Sequence, residues 1–384
     1  MNRNKSPRLR FGGFTGEWEE RKLEEVLSIK SGMSQKEIEV SDGIYPILAT
    51  GGEIGRTNTA LYDKESVLIG RKGTIDKPYY MDTPFWTVDT LFYSELKNNV
   101  NGKFLYFLFQ CIDWRKLDTS TGVPSLTSST IHEIKRYFPS LPEQTALGNF
   151  FRRLDETLAQ ARARLAKTQQ LKRAMLAKLF PAQGETTPKL RFKGFSGDWE
   201  RKMLGEVVEI VGGGTPDTSN PDYWNGDIDW YSPSEIGETV YANQSVRKIT
   251  ALGLQKSSAT MLPANQTVLF TSRASIGDMA ILTKDGATNQ GFQSFIVGEE
   301  LDVYFLYSMG LKIKDFALKN ASGSTFLEVS KNTLAKMEFL APNKEEQTAI
   351  GNFFQKLDQT LALQSAALEK LTRLKKALLA AMLV

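Results

Sequence analysis

Two long segments of the chain carry apolar residues at alternating spacings of three and four, with polar residues between them. In the first segment these residues are Leu147, Phe151, Leu154, Leu158, Ala161 and Leu165. In the second they are Ile350, Phe354, Leu357, Leu361, Leu368, Leu371, Leu378 and Met382. This spacing is typical of helices that pair along an apolar seam. We therefore predict spacer helices over residues 143–180 and 343–384. Because neither helix can bury its seam alone, we expect the two to pack antiparallel.

Ahead of each predicted helix, short runs rich in β-branched and aromatic residues alternate with glycine-rich turns. Residues 66–69 and 87–93 are examples in the first half, and 103–111 reads as a short helix. Such a mixture predicts a mixed α/β (α+β) domain over residues 1–142 and another over 188–342. Residues 181–187 form the linker between the halves. The later correspondences between the halves require extra residues in the second domain, which we place in the loop-like stretch 212–227.

The chain also repeats itself. Residues 7–26 are identical to residues 188–207 at twelve of twenty positions, and residues 143–159 are identical to residues 346–362 at thirteen of seventeen positions. The segments between these repeats are much less alike. A repeat implies one scaffold built twice, so the fold class is two related domains with pseudo-two-fold symmetry, joined by two long antiparallel coiled-coil helices. The divergent middle segments suggest that the two domains recognise different things.

Composition narrows the possible functions. The chain of 384 residues contains one cysteine and one histidine, which excludes an intrachain disulfide and any zinc site built from several such residues. Its apolar runs are shorter than the roughly 18 residues that span a membrane, and its charged N-terminus is unlike a secretory signal. We expect a cytoplasmic protein without a membrane partner. The net charge of +4 mildly favours a polyanionic partner.

Basic and amide-bearing loops occupy corresponding places in the two domains and are candidates for contact with DNA bases. Arginine and lysine can donate to guanine O6 and N7, while asparagine and glutamine can pair with adenine N6 and N7. The alternative for each residue is an ordinary polar loop. The candidates in the first domain are Arg71, Lys72, Lys77 and Trp86, and in the second Thr215, Tyr231, Ser234, Arg273, Asn289 and Gln290.

The first predicted spacer helix is strongly basic. Its arginines include Arg152, Arg153, Arg162 and Arg164, whereas its acidic residues between 152 and 178 are Asp155 and Glu156. A basic helix between two recognition domains is suited to contact phosphates, which fixes the register on DNA without reading its sequence. The alternative is a solvated helix face.

Two other functions remain open at this point. The segment 220–223 is similar to the Asn/Asp-Pro-Pro-Tyr signature of amino-methyltransferases, so one alternative is a self-contained DNA adenine methyltransferase. Against it, the glycines at 212–214 leave no room for the strand, turn and helix of a methyl-donor site. The other alternative is a coiled-coil adaptor with no role on DNA. We predict no catalytic residues and no metal ligands in this chain.

The repeated motifs resemble those of the specificity (S) subunits of Type I restriction-modification systems. The resemblance lies in the paired segments 9–19 and 190–200, in the paired segments 143–155 and 346–358, and in the motifs at 230–234, 272–277 and 288–292. It covers essentially the whole chain. The first domain departs from the pattern, because Thr87-Val-Asp-Thr-Leu91 stands where the second domain has Thr288-Asn-Gln-Gly-Phe292.

The resemblance implies a non-catalytic DNA-recognition subunit. In similar proteins each domain reads one half of a bipartite, asymmetric target in double-stranded DNA. The long helices set the spacer between the half-sites and dock two methyltransferase (M) subunits. Those M subunits bind S-adenosylmethionine and methylate adenine, so no cofactor is expected in this chain. Endonuclease-translocase (R) subunits complete the complex.

Overall fold

The computed structural model describes residues 6–118, 120–323 and 327–383. The charged N-terminal residues 1–5 therefore lie outside the described part. The chain divides into two compact units, the first made of residues 1–163 and 366–384 and the second of residues 164–365. The boundaries predicted from the sequence separate domains from helices, whereas each compact unit combines one α/β domain with a part of each long helix.

The first unit is built from short strands and helices that precede a long helix. Its strands are β1 (Glu19–Lys22), β2 (Leu27–Ser31), β3 (Tyr45–Ala49), β4 (Gly52–Thr57), β5 (Ser66–Gly70), β6 (Tyr79–Met81), β7 (Trp86–Thr87), β8 (Leu91–Leu96) and β9 (Lys135–Phe138). Its helices are α1 (Leu23–Val26), α2 (Gly102–Gln110), α3 (Ser128–His132) and the start of α4 (Leu141–Leu179). The helix predicted over 103–111 is confirmed by α2, which begins after Asn101 because that side chain accepts a hydrogen bond from the Phe104 amide.

The strands of the first unit form one four-stranded sheet and two smaller ones. The four-stranded sheet has the order β2-β8-β5-β6 and is antiparallel. In the order β4-β3-β7, the pair β3–β7 is parallel, while β1 pairs with β9. All five residues of β5 are buried, and helix α2 packs its apolar face against the same core. A continuous apolar run such as that of β5 is expected of a strand covered on both faces.

The second unit repeats this arrangement. Its strands are β10 (Glu200–Met203), β11 (Val208–Gly212), β12 (Trp224–Tyr231), β13 (Tyr241–Ala242), β14 (Arg247–Ile249), β15 (Thr267–Phe270), β16 (Met279–Leu282), β17 (Gly286–Thr288), β18 (Gln293–Val297) and β19 (Glu338–Ala341). Its helices are α5 (Leu204–Val207), α6 (Ala251–Gln255), α7 (Val303–Ser308), α8 (Gly310–Asn320), α9 (Lys331–Ala335) and the start of α10 (Lys344–Met382). The sheets have the orders β11-β18-β15-β16-β13, β14-β12-β17 and β10-β19.

The extra residues of the second domain do not lie where the sequence placed them. Leu48 and Tyr231 occupy equivalent places, since each pairs in parallel with a threonine of the next short strand, Thr87 or Thr288. The chain up to Tyr231 therefore follows the first domain closely. Strand β14 pairs with β12 as β4 pairs with β3, whereas β13 and α6 have no counterpart in the first domain. These added elements lie between Tyr231 and β15, so the placement in residues 212–227 was wrong. Loop-like composition marked a loop, but it could not show which of two loops was longer.

Within the first unit, the start of α4 lies beside the end of α10. Leu147 and Phe151 share a core with Met382 and Leu383, and the Asp155 carboxylate lies 2.6 Å from the Lys375 ammonium. The seam predicted from the sequence is thus buried at this end.

Within the second unit, the end of α4 lies beside the start of α10. The Lys172 ammonium contacts the buried Asp358 carboxylate at 2.5 Å, and the rings of Phe180 and Phe354 stack 6.2 Å apart. Lys172 thus lies beside Asp358, and Phe180, directly after α4, lies beside the earlier residue Phe354. The two segments therefore run antiparallel in this unit, as predicted. The Tyr304 hydroxyl donates to the second Asp358 oxygen at 2.9 Å.

The repeated segment at the start of each α/β domain joins the ends of two long helices. In the first unit the Leu9 amide donates to the Ala381 carbonyl at 3.0 Å, and the Arg10 guanidinium donates twice to Glu143 at 2.6 Å. This ion pair raises the pKa of Arg10. In the second unit Leu190 and Arg191 make the same contacts with Lys178 and Glu346. We call residues 9–10 and 190–191 the helix clasps. Each satisfies a carbonyl at one helix C-terminus and binds a buried carboxylate at another helix N-terminus.

The glycine in each repeated helix-start motif allows a second helix to approach. A Cβ on Gly148 would lie 2.8 Å from Asn101 Oδ1 and 2.9 Å from the Phe104 nitrogen, and one on Gly351 would lie 2.5 Å from Asp302 Oδ1. These are the N-caps of α2 and α7, so the repeat keeps glycine where two helix starts meet.

Candidate nucleic-acid interface

In the second unit, four connections meet at one edge of the sheets. They follow β11, follow β12, join β15 to β16, and join β17 to β18. The Gly214 amide donates to the Thr288 carbonyl at 2.9 Å, Asn289 to Tyr231 at 3.0 Å, and Ser272 to Gly291 at 2.8 Å. These backbone hydrogen bonds fix the relative positions of the loops, so we call this group of loops the second loop edge.

Five of the residues predicted in the second domain lie on the second loop edge. The Thr215 hydroxyl donates to the Gln290 side-chain carbonyl, and Asn289 Oδ1 accepts from the Gly291 amide at 2.8 Å. Ser234 and Gln290 are exposed, whereas Arg273 is half-buried and its backbone bridges to Glu328. The structure thus brings hydroxyl, guanidinium and amide side chains together on one edge. They belong to Thr215, Ser234, Arg273, Asn289 and Gln290.

The sixth predicted residue, Tyr231, has to be corrected. Its side chain is 1% exposed and packs with Ile236, Leu262 and Phe292. Burial, together with the charges of Asp229 and Glu235, raises the pKa of its phenol, which therefore stays neutral. Tyr231 supports the second loop edge from below and presents no ring to a base.

The first unit has an equivalent edge held by equivalent hydrogen bonds. The Met33 amide donates to the Thr87 carbonyl at 2.8 Å, Val88 to Leu48 at 3.0 Å, and Arg71 to Thr90 at 2.8 Å. Each bond joins the same two loops as its counterpart in the second unit. We call this group of loops the first loop edge.

Three of the four residues predicted in the first domain lie in this region. Arg71 is half-buried and one of its guanidinium nitrogens donates to the Asp89 carbonyl at 3.2 Å, while Lys72 and Lys77 are exposed. The backbone of Lys72 bridges to Ser125. The loop that carries Ser125 is ordered by Asp118, whose pKa is lowered because its carboxylate accepts from the Ser125 and Ser120 amides.

The fourth predicted residue, Trp86, also has to be corrected. It is 7% exposed, packs with Ile47 and Val88, and donates its indole N–H to the Met33 carbonyl at 2.9 Å. Its function is to tie the loop after β2 to strand β7. A tryptophan whose faces are covered cannot stack on a base, so we remove Trp86 from the candidate contacts.

The turn after β5 or β15 carries a left-handed residue at the same place in each unit. That residue is Gly73 in the first unit, with φ of 85°, and Ala274 in the second, with φ of 63°. Alanine is rarely found in this conformation, because its Cβ crowds the following carbonyl oxygen. The second loop edge therefore carries backbone strain next to Arg273.

Replacing Ala274 with glycine is expected to stabilise the protein by up to about 1.5 kcal/mol. A left-handed conformation costs an alanine roughly 1–2 kcal/mol, and the greater freedom of glycine in the unfolded chain returns about 0.5–1 kcal/mol of that. The reverse change, Gly73→Ala, should destabilise, since the new Cβ would meet only Thr50 Oγ1 at 3.7 Å and the cost comes from φ. Chemical denaturation measures the free energy of unfolding of both variants. Changes of the same sign would contradict the left-handed conformation assigned to the two positions.

The four arginines predicted to contact phosphates all lie on exposed positions of α4. Arg152 pairs with Glu156 on the same helix, and Arg153, Arg162 and Arg164 are exposed. An exposed pair one helical turn apart is weak, so Arg152 remains available to a phosphate.

Sequence reasoning missed two residues of the first loop edge. Asp89 is exposed and occupies the place of Gln290, and Ser34 is exposed and occupies the place of Thr215. An aspartate can accept a hydrogen bond from cytosine N4. The repeat itself was the signal that could have found both, because the hydrogen bonds to Thr87 and Thr288 put the two halves in register.

The methyltransferase-like segment has a local structural role. Asn220 Oδ1 accepts from the Asp222 amide at 3.0 Å and caps the short 3-10 helix Pro221–Tyr223. No helix within the described ranges is long and apolar enough to cross a bilayer. Those ranges likewise hold no cluster of three metal-ligating side chains.

Two related domains that expose different side chains on the same loop scaffold define a class of protein with paired recognition modules. The family model for the Type I restriction modification DNA specificity domain matches residues 15–170 and again residues 196–373. The chain belongs to this family, which confirms the resemblance seen in the repeated motifs.

Known relatives agree with that assignment. The Type I restriction enzyme MjaIX specificity subunit of Methanocaldococcus jannaschii is 35% identical over 181 residues, which are 45% of this chain and 42% of that protein. The EcoR124I/EcoR124II specificity subunit of Escherichia coli is 34% identical over 177 residues, or 44% and 43% of the two chains. The matched regions thus span less than half the length of these curated relatives.

A solved structure extends the likeness to the whole fold. The crystal structure of the S subunit of a Type-I restriction-modification system from M. genitalium covers 99% of both chains with a TM-score of 0.68 and 18% identity. The predicted fold class, two mixed α/β domains with two long helices, is confirmed.

Proposed function

We propose that this chain is the non-catalytic DNA-recognition subunit of a Type I restriction-modification complex, and that each domain reads one half of a bipartite, asymmetric target. The observation that carries the proposal is the pair of loop edges, which share their backbone hydrogen bonds but differ in their side chains. Lys72 corresponds to Arg273, Asp89 to Gln290, and Ser34 to Thr215. One scaffold with different donors and acceptors is what two unlike half-sites require.

The partners and the cofactor belong to the same proposal. Two M subunits dock on the long helices, carry S-adenosylmethionine and methylate adenine, and R subunits join the resulting complex. The helices offer exposed leucines for docking, since Leu171, Leu363 and Leu374 are 44%, 73% and 47% exposed. In this proposal a docked M subunit covers these leucines. The helices also set the spacer between the half-sites, and Arg152, Arg153, Arg162 and Arg164 contact phosphates.

Replacing Arg273 with alanine is expected to relax the base preference at one position of one half-site. The expected cost is about 1–3 kcal/mol for the preferred base, with the other half-site unchanged. The target is first mapped as methylated adenines in cells that carry this chain with its M subunits. Competition binding of the purified complex to duplexes with single base changes then measures the effect.

The matched control is Arg201→Ala, which removes an exposed arginine of the same domain that pairs with Glu338 on the neighbouring strand. It should leave base preference unchanged. Equal weakening on every duplex by Arg273→Ala would identify a phosphate contact instead of a base contact. A wild-type complex that shows no sequence preference would contradict the proposed function itself.

A further inference from the structure

The connection from β12 to β14 is longer than its counterpart from β3 to β4, and at its end an unassigned pair, Val246 and Arg247, lies next to the second loop edge. The Val246 amide donates to Glu235 Oε1 at 2.6 Å, which ties this pair to the loop that carries Ser234. Arg247 lies opposite Trp230 in the pairing of β14 with β12. Trp230 in turn donates its indole N–H to the Gly214 carbonyl at 2.9 Å. The pair is therefore continuous with the second loop edge.

The Val246 side chain is held outward. It is 85% exposed, a larger fraction than that of any other large apolar side chain in the described part of the chain. The preceding residue, Ser245, is buried and its hydroxyl and amide both donate to Asp229, at 2.9 and 3.0 Å. Ser245 is thus anchored inward, while Val246 lies at a bend directly before β14 and its side chain remains in solvent.

The Arg247 guanidinium is fixed in orientation by two tryptophans. Its central carbon lies 3.6 Å from the centre of the Trp224 ring and 5.6 Å from that of Trp230. Both rings are nearly buried and pack edge to face at 5.1 Å. Stacking of this kind restrains a guanidinium while its N–H donors remain free at the rim of the plane.

Asp229 and Glu235, the two carboxylates hydrogen-bonded to this segment, already have partners within the protein. Asp229 is buried, accepts from Ser245 and lies 3.6 Å from the Lys248 ammonium. Glu235 accepts from Val246 and from the Ser232 amide. The pair therefore exposes the methyl groups of Val246 and the oriented cation of Arg247. This combination suits the edge of a base pair better than it suits an acidic peptide.

We propose that Val246 and Arg247 form a second reading element of the second domain, in which Val246 contacts a thymine methyl group and Arg247 donates to guanine in the same half-site. Arginine is suited to guanine O6 and N7, and an apolar side chain is suited to the thymine C5-methyl group. The proposal rests on the proposed function. It adds a guanidinium contact that the first domain does not offer, because the equivalent strand β4 has Gly55 at the place of Arg247.

The test uses the complex of this chain with its M subunits and its mapped target duplex. Each thymine of the half-site read by the second domain is replaced in turn by deoxyuridine, which removes the methyl group alone. We expect one such position to weaken the wild-type complex by about fourfold, and Val246→Ala to make the complex insensitive to that position. Each guanine is likewise replaced by 7-deazaguanine, and one position should cost the wild type roughly tenfold but leave Arg247→Ala unaffected.

Matched controls come from the same domain. Leu311→Ala truncates another highly exposed apolar side chain, and Arg201→Ala removes another exposed arginine; both should keep the wild-type response to the modified bases. The inference is overturned if no deoxyuridine or 7-deazaguanine position separates the variants from the wild type. It is also overturned if Val246→Ala and Arg247→Ala lower M-subunit assembly without any base dependence, which would indicate a protein contact. In either case a wild-type complex that still selects its target leaves the proposed function standing.

Discussion

Replacing Arg191 with alanine is expected to destabilise the second unit by about 3–5 kcal/mol. The Glu346 carboxylate is 1% exposed and receives two hydrogen bonds from Arg191, at 2.8 and 2.6 Å. Without the arginine, the Glu346 carboxylate remains buried at a helix start with no opposite charge. Removing one member of a buried ion pair lowers the free energy of unfolding by far more than the intact pair adds to it, because the other charge stays buried. Chemical denaturation of the purified chain, with and without its M subunits, measures the loss.

Two variants make this result interpretable. Arg201→Ala breaks an ion pair with Glu338 whose side chains are 70% and 54% exposed, and should cost less than about 1 kcal/mol. The double variant Arg191→Ala with Glu346→Ala should be more stable than Arg191→Ala alone, because no buried charge is left. If the exposed and the buried arginine variants lost equal stability, the clasp would have no special role. Arg10→Ala should repeat the effect in the first unit, where Glu143 is 2% exposed at its side chain.

Lengthening both long helices by four residues is expected to change the target while preserving both half-sites. Insertions between Ala163 and Arg164 and between Ser365 and Ala366 fall where the chain passes from one compact unit to the other, so each unit keeps its own contacts. Four helical residues add about 6 Å, which lies between one and two base-pair steps of about 3.4 Å. The nonspecific spacer should grow by one or two base pairs. On the original target, affinity should fall toward the nonspecific level, on the order of a thousandfold.

Methylation mapping in cells that carry the lengthened chain gives the new target directly. An insertion of the same four residues between Gln183 and Gly184 is the control, because it lengthens the exposed linker and neither helix. It should leave the spacer as it was. Lengthened helices with an unchanged spacer would show that something other than the helices sets the separation of the half-sites. An altered half-site would show that the insertions disturbed a reading domain.

The helices and the repeats were accessible from the sequence because their signals are local. The seam from Leu147 to Leu158 and its counterpart at Ile350 and Phe354 become the buried faces of α4 and α10. A period of 3.5 residues is visible in the spacing of neighbouring apolar residues, so it can be recognised without knowing any distant contact. The repeated motifs also marked residues whose role was not visible, since Arg10 and Arg191 appeared only as identities and turn out to hold the helix clasps.

The candidate site was predicted less completely, because exposure in a loop depends on what packs beneath it. Trp86 and Tyr231 had suitable chemistry and suitable positions in the chain. Each lies where two strands pair in parallel, one on β7 with β3 and the other on β12 with β17, and is covered by residues far away in sequence. Asp89, Val246 and Arg247 carried no motif at all, and their importance follows from neighbours that only the fold supplies.

By itself, then, the order of residues determined the α/β class, the two related domains, the two long helices and the family. Periodicity, identity between repeats and turn composition are properties of neighbouring positions, and they survive whatever the chain packs against. The tertiary structure decided which loops share an edge, which aromatic side chains are buried, and which arginine is oriented by tryptophans. Those outcomes depend on backbone hydrogen bonds between segments far apart in the chain, such as Ser272 to Gly291 and Asn289 to Tyr231, whose pairing no local pattern encodes.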